Sequence, residues 1–191
     1  MKNGGNKGDM KATGIVRRID DLGRVVVPKE IRRTLRIREG DPLEIFTDRE
    51  GEIILKKYSP IGELGDFAKQ YADTLAQTTG HVVCIADRDQ IIAVAGGAKK
   101  EFMNKAIGIA LERLIQNRET VVAHAGEKAF IDIVEHGMED FKSQVICPII
   151  AEGDSIGAVI ILARDKDEKI GETEKKLAIS AAGFLGRQME Q

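Results

Sequence analysis

The sequence lacks tryptophan and holds only two cysteines, three histidines and four prolines in 191 residues. Cys84 and Cys147 each lie inside an apolar run, so a disulfide framework is excluded and a reducing cytoplasm is indicated. The longest apolar run, residues 156–163, falls far short of the ~20 residues that span a bilayer, so no membrane partner is predicted. Residues 1–9 are polar and glycine-rich without the apolar core of a signal peptide, and we interpret them as a tag or disordered extension.

Charge is distributed unevenly, although the whole chain carries a net charge of only −2. Residues 10–58 hold twelve Lys and Arg against nine Asp and Glu, whereas residues 59–191 hold fifteen against twenty-one. Such asymmetry indicates two domains with different partners. We place the linker near residues 56–60, where a strand-like run meets a proline. The predicted domains are therefore 10–58 and 59–191.

The first domain shows strand patterns on both sides of one short helix. Residues 14–19 and 24–27 are predicted strands around a turn, and Pro28 suits the first turn of a helix that buries Ile31 and Leu35. Residues 43–47 and 52–57 are a predicted hairpin. So short a domain, without disulfide or metal, buries too little to fold alone. We therefore expect an obligate dimer.

The second domain predicts an α/β sandwich with flanking helices. Its elements are a first helix with the apolar seam Ile61, Leu64, Ala68, Tyr71 and Leu75; strands at 81–86, 91–95, 120–123, 145–151 and 156–163; a helix carrying Met103, Ile107, Leu111 and Leu114; and a last helix carrying Ala178, Ala182, Leu185 and Met189. The 3, 4 spacing in the first and last helices resembles a coiled-coil seam. We expect these two helices to pair the second domains of different chains.

Cations are concentrated in the first domain, where residues 17–38 carry eight against three anions. Like charges four residues apart destabilise a helix, so folding alone gives no reason to keep them. A solvated basic face is the simplest interpretation. A dimer would double these charges on one surface, as a DNA-binding module requires. A helix-turn-helix is excluded because residues 40–42 end the one helix, which leaves a sheet-based reader.

The stretch TGIVRRIDDLGRVVVPKEIRRTLRIREGDPLEI, residues 13–45, resembles the DNA-binding domain of AbrB-type transition-state regulators. That resemblance implies a swapped-hairpin β-barrel dimer in which hairpins of two chains interlock on double-stranded DNA. The arginines that it assigns to DNA contact are Arg17, Arg24, Arg32 and Arg33, and Arg18 occupies a position that is also basic in relatives. The predicted fold class is accordingly α+β, with this barrel followed by the sandwich.

The stretch ICPIIAEGDSIGAVIIL, residues 146–162, resembles the strand, hairpin and strand of a GAF domain. The two domains in this order are similar to a family of sporulation transcription regulators. Residues 125–143 are long and irregular for a compact domain, which is typical of a binding loop or lid. In GAF domains such a segment covers a small-molecule pocket, so the resemblance implies an unidentified ligand there.

Several other residues have a functional and a structural interpretation. Cys84 and Cys147 could be a nucleophile or redox pair, yet each lies mid-strand, which favours buried core cysteines. Asp87 and Asp89 could be an acid and base, yet they flank a hairpin turn, where aspartate is common. The three histidines, His81, His124 and His136, show no metal spacing with one another or with the cysteines. No catalytic residue, metal or cofactor is predicted.

Three classes of function remain open from the sequence. The leading interpretation is a DNA-binding regulator of sporulation genes in the cytoplasm, associated with the nucleoid, whose second domain binds a small molecule or assembles dimers into a tetramer. An antitoxin is the first alternative, since related swapped-hairpin domains occur in toxin and antitoxin pairs. A GAF-type redox enzyme with an accessory basic domain is the second. We predict that the protein is not an enzyme.

Overall fold

The computed structural model describes residues 13–63, 65–136, 138–164 and 170–190. It divides into two compact units, and the division lies between Pro42 and Leu43. The linker that we place near residues 56–60 therefore falls inside the second unit. The predicted extension, residues 1–9, lies outside the described residues.

The first unit holds one helix, α1 (Lys29–Thr34), directly after Pro28. The helix ends where Arg36 takes a left-handed conformation, with φ of 52°, and the N–H of Ile37 donates to the carbonyl of Arg32 at 2.7 Å. The predicted strands at 14–19 and 24–27 are not strands in the single chain. A strand exists only through hydrogen bonds to a neighbour, and the expected neighbours belong to a second chain.

The predicted burial of the helix face is also wrong for the single chain. No residue of α1 is buried, and Leu35 is 57% exposed. Residues 13–60 in fact contain no buried residue. Among the residues that the structure describes, none buries this face in the single chain. So short a domain is expected to bury such a face against a second copy.

The second unit begins with an antiparallel hairpin of β1 (Leu43–Thr47) and β2 (Ile53–Lys57), as predicted. Ile45 lies opposite Leu55, and Thr47 lies opposite Ile53. These positions share one face of the hairpin because side chains alternate along a strand. The face is apolar and exposed, since Ile45 is 67% and Ile53 is 70% exposed.

The core of the second unit is built on a five-stranded antiparallel sheet in the order β4-β3-β7-β6-β5. Its strands are β3 (Val82–Asp87), β4 (Ile91–Ala95), β5 (Val121–His124), β6 (Ser143–Ala151) and β7 (Asp154–Ala163). Every strand predicted for this domain is confirmed, with small differences at the ends. The central strands are buried on both faces and therefore read as nearly continuous apolar runs.

Helices cover both faces of this sheet. The first face packs against α2 (Pro60–Glu63), α3 (Gly65–Thr79) and α6 (Glu172–Gln188). The second face packs against α4 (Lys99–Phe102), α5 (Ile109–Asn117) and apolar side chains from residues 130–141. Alternation separates the two sets, since Val83 and Ile85 belong to the first cluster, whereas Val82 and Cys84 belong to the second.

The single helix predicted from Met103 to Leu114 is wrong. The structure has α4 and α5 with an irregular stretch between them, where Asn104 is left-handed with φ of 60°. Ile107 lies in that stretch, forming an isolated bridge with Val134, and Gly108 precedes α5. The apolar residues have helical spacing, but contacts distant in sequence, such as the bridge between Ile107 and Val134, override the local preference for one continuous helix.

The seam predicted to join different chains lies inside the chain's own core. Leu75 is 6% exposed and Leu185 is fully buried, and both pack in the first cluster with Ala68 and Ala182. Another residue of the predicted seam, Leu64, lies outside the described residues. A 3, 4 spacing shows which side of a helix is buried, but not whether the covering surface belongs to the same chain.

Membrane insertion of a helix finds no support in the structure. Within the described ranges, each helix is too short or too polar to cross a bilayer.

Candidate nucleic-acid interface

Arg24 is held by a tight turn that begins at Asp20. One oxygen of the Asp20 carboxylate accepts the N–H of Leu22 at 3.0 Å and that of Arg24 at 2.8 Å. The other accepts Nε of Arg24 at 2.8 Å. Gly23 closes the turn with φ of 77°, a conformation that glycine adopts without strain. The turn thus fixes both the backbone and the guanidinium of Arg24.

The hydrogen bonds to Asp20 also set its ionisation. The backbone N–H and then the side chain of Arg24 stabilise the carboxylate, which lowers the pKa of Asp20 below its ordinary value. The carboxylate stays charged and keeps Arg24 paired in the free protein. The turn was predicted from the sequence, but the pairing of Asp20 with Arg24 was not. The available signal is the aspartate at the start of the turn, because such a side chain accepts the backbone N–H two residues further on.

Helix α1 places Arg32 and Arg33 in its last turn. Arg33 is exposed, whereas Arg32 is half-buried, and its Nε is buried without a hydrogen-bond partner in the part of the chain that the structure describes. A buried donor that lacks an acceptor costs free energy. Because Nε is closed to solvent in the single chain, it is not the atom of Arg32 that a ligand would reach.

Arg17 and Arg18 precede the turn, outside any helix or strand, and are exposed. The four arginines that the resemblance assigns to DNA contact and the additional Arg18 therefore lie within the first unit, and four of these five are exposed. The apolar side chains that alternate with them are also exposed in the single chain, including Val16 at 87% and Val26 at 70%. Cationic and apolar surface are thus presented together.

Part of the segment expected to cover a ligand in the second domain packs on the sheet, whereas residues 125–129 are exposed. Ile133, Val134 and Phe141 are buried against the second cluster. The buried amide of Gln144 forms two hydrogen bonds with the backbone of Ile131: its nitrogen donates to the carbonyl at 3.0 Å, and its oxygen accepts the N–H at 2.8 Å. Two open depressions of about 350 and 440 Å³ lie beside residues 96–101, and their described lining residues do not belong to segment 125–143.

The cysteines are poor candidates for nucleophilic chemistry. Both are free and buried, as the sequence predicts for core cysteines. Burial raises the pKa of the Cys84 thiol far above its ordinary value, and it raises the pKa of Cys147 although the Thr120 hydroxyl stabilises that sulfur. A thiol attacks only as its thiolate, so neither residue supplies a ready nucleophile.

Acidic side chains come together at one place, the turn between β1 and β2. Carboxylate oxygens of Asp48, Glu50 and Glu52 lie within 4.8 Å of one another. Asp48 accepts the backbone N–H of Glu50 and of Glu52, both at 2.9 Å, which explains its position without an ion. The pKa of Asp48 is lowered mainly by the hydrogen bond from the backbone N–H of Glu52. The cluster is a turn motif of the hairpin.

Comparison with known families matches both parts of the chain. Residues 63–190 match the family model described as stage V sporulation protein T C-terminal, transcription factor. Residues 16–63 match the model described as antidote-toxin recognition MazE, bacterial antitoxin. The two ranges together account for nearly all of the described residues.

Individual relatives agree with these matches. The chain is 60% identical to stage V sporulation protein T of Bacillus subtilis over 182 residues, which are 95% of this chain and 100% of that protein. It is 67% identical to the transition state regulatory protein AbrB of Bacillus subtilis over 51 residues, which are 27% of this chain and 52% of AbrB. The AbrB resemblance stated from the sequence is thereby confirmed.

A solved structure supports the fold of the second domain. The GAF domain of Acinetobacter phosphoenolpyruvate-protein phosphotransferase aligns with a TM-score of 0.56 at 14% identity, covering 68% of this chain and 87% of that chain. At this identity the likeness establishes the fold alone, and it confirms the predicted GAF-like sandwich. With its N-terminal AbrB-like domain and C-terminal GAF-like domain, the chain belongs to the stage V sporulation protein T family of transcription factors.

Proposed function

We propose that the protein regulates sporulation genes by binding double-stranded DNA through Arg17, Arg18, Arg24, Arg32 and Arg33. The observation that carries the proposal is the concentration of these cations, four of them exposed, in a unit whose apolar residues are also exposed. Two interlocked chains would bury the apolar residues and bring two sets of arginines onto one surface. AbrB, the relative named as a transition state regulatory protein, supports the same assignment.

Binding of this kind depends steeply on salt. Four arginines per chain, Arg17, Arg24, Arg32 and Arg33, give eight per dimer, so the slope of log K against log salt concentration should approach about −7 if all contact phosphate. The measurement is a titration of the full-length protein with a DNA fragment selected from the genome, at a series of salt concentrations. A slope near zero would contradict an electrostatic interaction with the backbone.

The two other classes of function are less well supported. An antitoxin of the swapped-hairpin type is consistent with the match of residues 16–63, but a folded five-stranded domain follows here instead of a segment that wraps around a toxin. A redox enzyme needs a reactive thiolate, and the pKa values of both thiols are raised by burial. We propose that the protein has no catalytic activity, requires no cofactor and acts in the cytoplasm on the nucleoid.

We propose further that the second domains join DNA-binding dimers into a tetramer through an aromatic surface on α3 and α6. Phe67 stacks on Phe184 at 5.9 Å between ring centroids, and Tyr71 stacks on Phe184 at 5.2 Å. Phe67 is 43% exposed, and Ile179 of α6 is 46% exposed. A second copy would bury these side chains, whereas the seam residues Leu75 and Leu185 are already covered within one chain.

Replacing Phe67 and Ile179 together by glutamate should reduce the tetramer to a dimer, because charges would then be buried at the interface. Light scattering on the full-length protein measures the change. The matched control is Ile109→Glu, since Ile109 is an equally apolar residue of α5 that is 70% exposed. A double variant that stays tetrameric would rule out this surface as the interface.

A further inference from the structure

The turn between β3 and β4 connects three separate segments of the second unit. Within the turn, one oxygen of the Asp87 carboxylate accepts the N–H groups of Asp89 and Gln90, both at 2.7 Å. This confirms the structural interpretation of these aspartates as turn residues. The turn leaves the second oxygen of Asp87 and both oxygens of Asp89 available for contacts outside it.

The first segment held by the turn is the end of β2 and the residues that follow it. Nζ of Lys57 lies 2.5 Å from Oδ2 of Asp89, and both side chains are mostly buried, with 21% and 29% exposed. The hydroxyl of Ser59 donates to Oδ2 of Asp87 at 2.9 Å. Asp87 is only 5% exposed, so these contacts are shielded from solvent and are stronger than an ion pair on an open surface.

The second segment is the buried part of stretch 125–143 at Ile133 and Val134. The N–H of Ile107 donates to the carbonyl of Asp89 at 2.9 Å, and Ile107 forms an antiparallel bridge with Val134. The next residue, Gly108, donates its N–H to the carbonyl of Ile133 at 2.8 Å. Asp89 is thus bonded through its backbone to the residue that pairs with this segment.

The third segment is the start of β7. Nε of Arg88 donates to the carbonyl of Ser155 at 2.5 Å. Gly157 lies so close to the turn that a Cβ there would overlap the carbonyl of Ala86. The turn is therefore held against the central sheet. Because packed segments resist compression, a shift of one segment that contacts the turn is expected to affect the other segments that contact it.

We propose that Asp87 and Asp89 are positioning residues for DNA binding, which hold residues 57–59 in place and transmit the position of segment 125–143 to strand β2. The path runs from Val134 to Ile107, then to Asp89, and then to Lys57 at the end of β2. Strand β2 lies within the range 16–63 that matches the N-terminal family model. The proposal rests on the proposed function only in assigning this N-terminal range to DNA binding.

Hydrogen exchange of the full-length protein tests the first contact without DNA. Asp89→Asn should speed exchange of the β2 amides by about fivefold, because losing an ion pair of about 1 kcal/mol makes local opening about five times more frequent. Exchange in β7 should be unchanged. Asp89→Glu, which keeps the charge, should restore much of the protection. The matched control is Asp73→Asn, an exposed carboxylate of α3 with the same change in charge. Equal exchange in Asp89→Asn and Asp73→Asn would overturn the proposal.

Transmission requires a second variant at the far end of the path. Val134→Ala, which removes two buried methyl groups opposite Ile107, should also speed exchange in β2, and this effect should disappear when Asp89→Asn is already present. An undiminished effect of Val134→Ala in the Asp89→Asn background would show that the signal bypasses Asp89. Because neither exchange result involves DNA, both would stand if the arginine assignment failed. Conversely, loss of DNA binding in the arginine variants would support the proposed function whatever the exchange results.

Discussion

Replacing either Arg24 or Arg32 by alanine is expected to lower the affinity for specific DNA about 100-fold or more, while the protein stays folded. A dimer presents each arginine twice, and one bidentate contact to a base contributes roughly 1–3 kcal/mol, so the loss of two such contacts multiplies. The affinity of the full-length protein for a selected operator, measured at physiological salt, gives the result. A variant that keeps nearly the wild-type affinity would remove that arginine from the interface.

Folding of these variants should be little affected, because neither arginine supports the core. The Arg24 side chain is 68% exposed, and its ion pair with Asp20 is a surface pair, which adds little to stability. Arg32 has a buried Nε without an acceptor, so its removal also removes a cost. Thermal unfolding of the same samples therefore separates a binding defect from a folding defect.

The matched control is Arg49→Ala, which removes the same charge from the turn between β1 and β2. Arg49 is exposed and belongs to the N-terminal family range, but the resemblance does not assign it to DNA contact. Its loss should weaken binding only modestly, through the general charge of the protein. If Arg49→Ala lost as much affinity as Arg24→Ala, net charge and not specific contact would account for binding.

The second domain shows how far sequence patterns determine a sheet. Strands β3, β6 and β7 were predicted because each contains a nearly continuous apolar run, the pattern of a strand that is buried on both faces. The turn after Asp87 was predicted from its composition. Neither pattern contains the partners that Asp87 and Asp89 find at Ser59 and Lys57, which lie 28 and 32 residues away in sequence.

Helical spacing was informative about burial and misleading about what covers the buried side. Ile107 meets the spacing of a helix with Met103 and Leu111, yet it pairs with Val134 in an irregular stretch. Leu75 and Leu185 meet the spacing of a coiled coil, yet the sheet of the same chain covers them. In each case the apolar period was real, and the missing information was a contact distant in sequence.

Residues 10–58 expressed alone should fold only as a dimer, and their melting temperature should rise with protein concentration. None of residues 13–60 is buried in the single chain, whereas Val16, Ile19, Val26, Ile45 and Ile53 are each at least 66% exposed. A chain that buries so little cannot offset the conformational entropy lost on folding. A tenfold higher concentration favours the folded dimer by about 1.4 kcal/mol, which corresponds to roughly 5–10 °C for a dimer of this size.

A single substitution distinguishes the interlocked dimer from a monomer. In a folded monomer Val26 would be exposed to water, so that Val26→Asp would change stability by no more than about 0.5 kcal/mol. In an interlocked dimer Val26 lies in the shared core, and each dimer would bury two unpaired carboxylates, at a cost of several kcal/mol each. We therefore expect Val26→Asp to abolish the cooperative melt of residues 10–58. A monomer by sedimentation whose melt neither depends on concentration nor responds to Val26→Asp would contradict the interlocked dimer, because the exposed apolar face would then be stable in water.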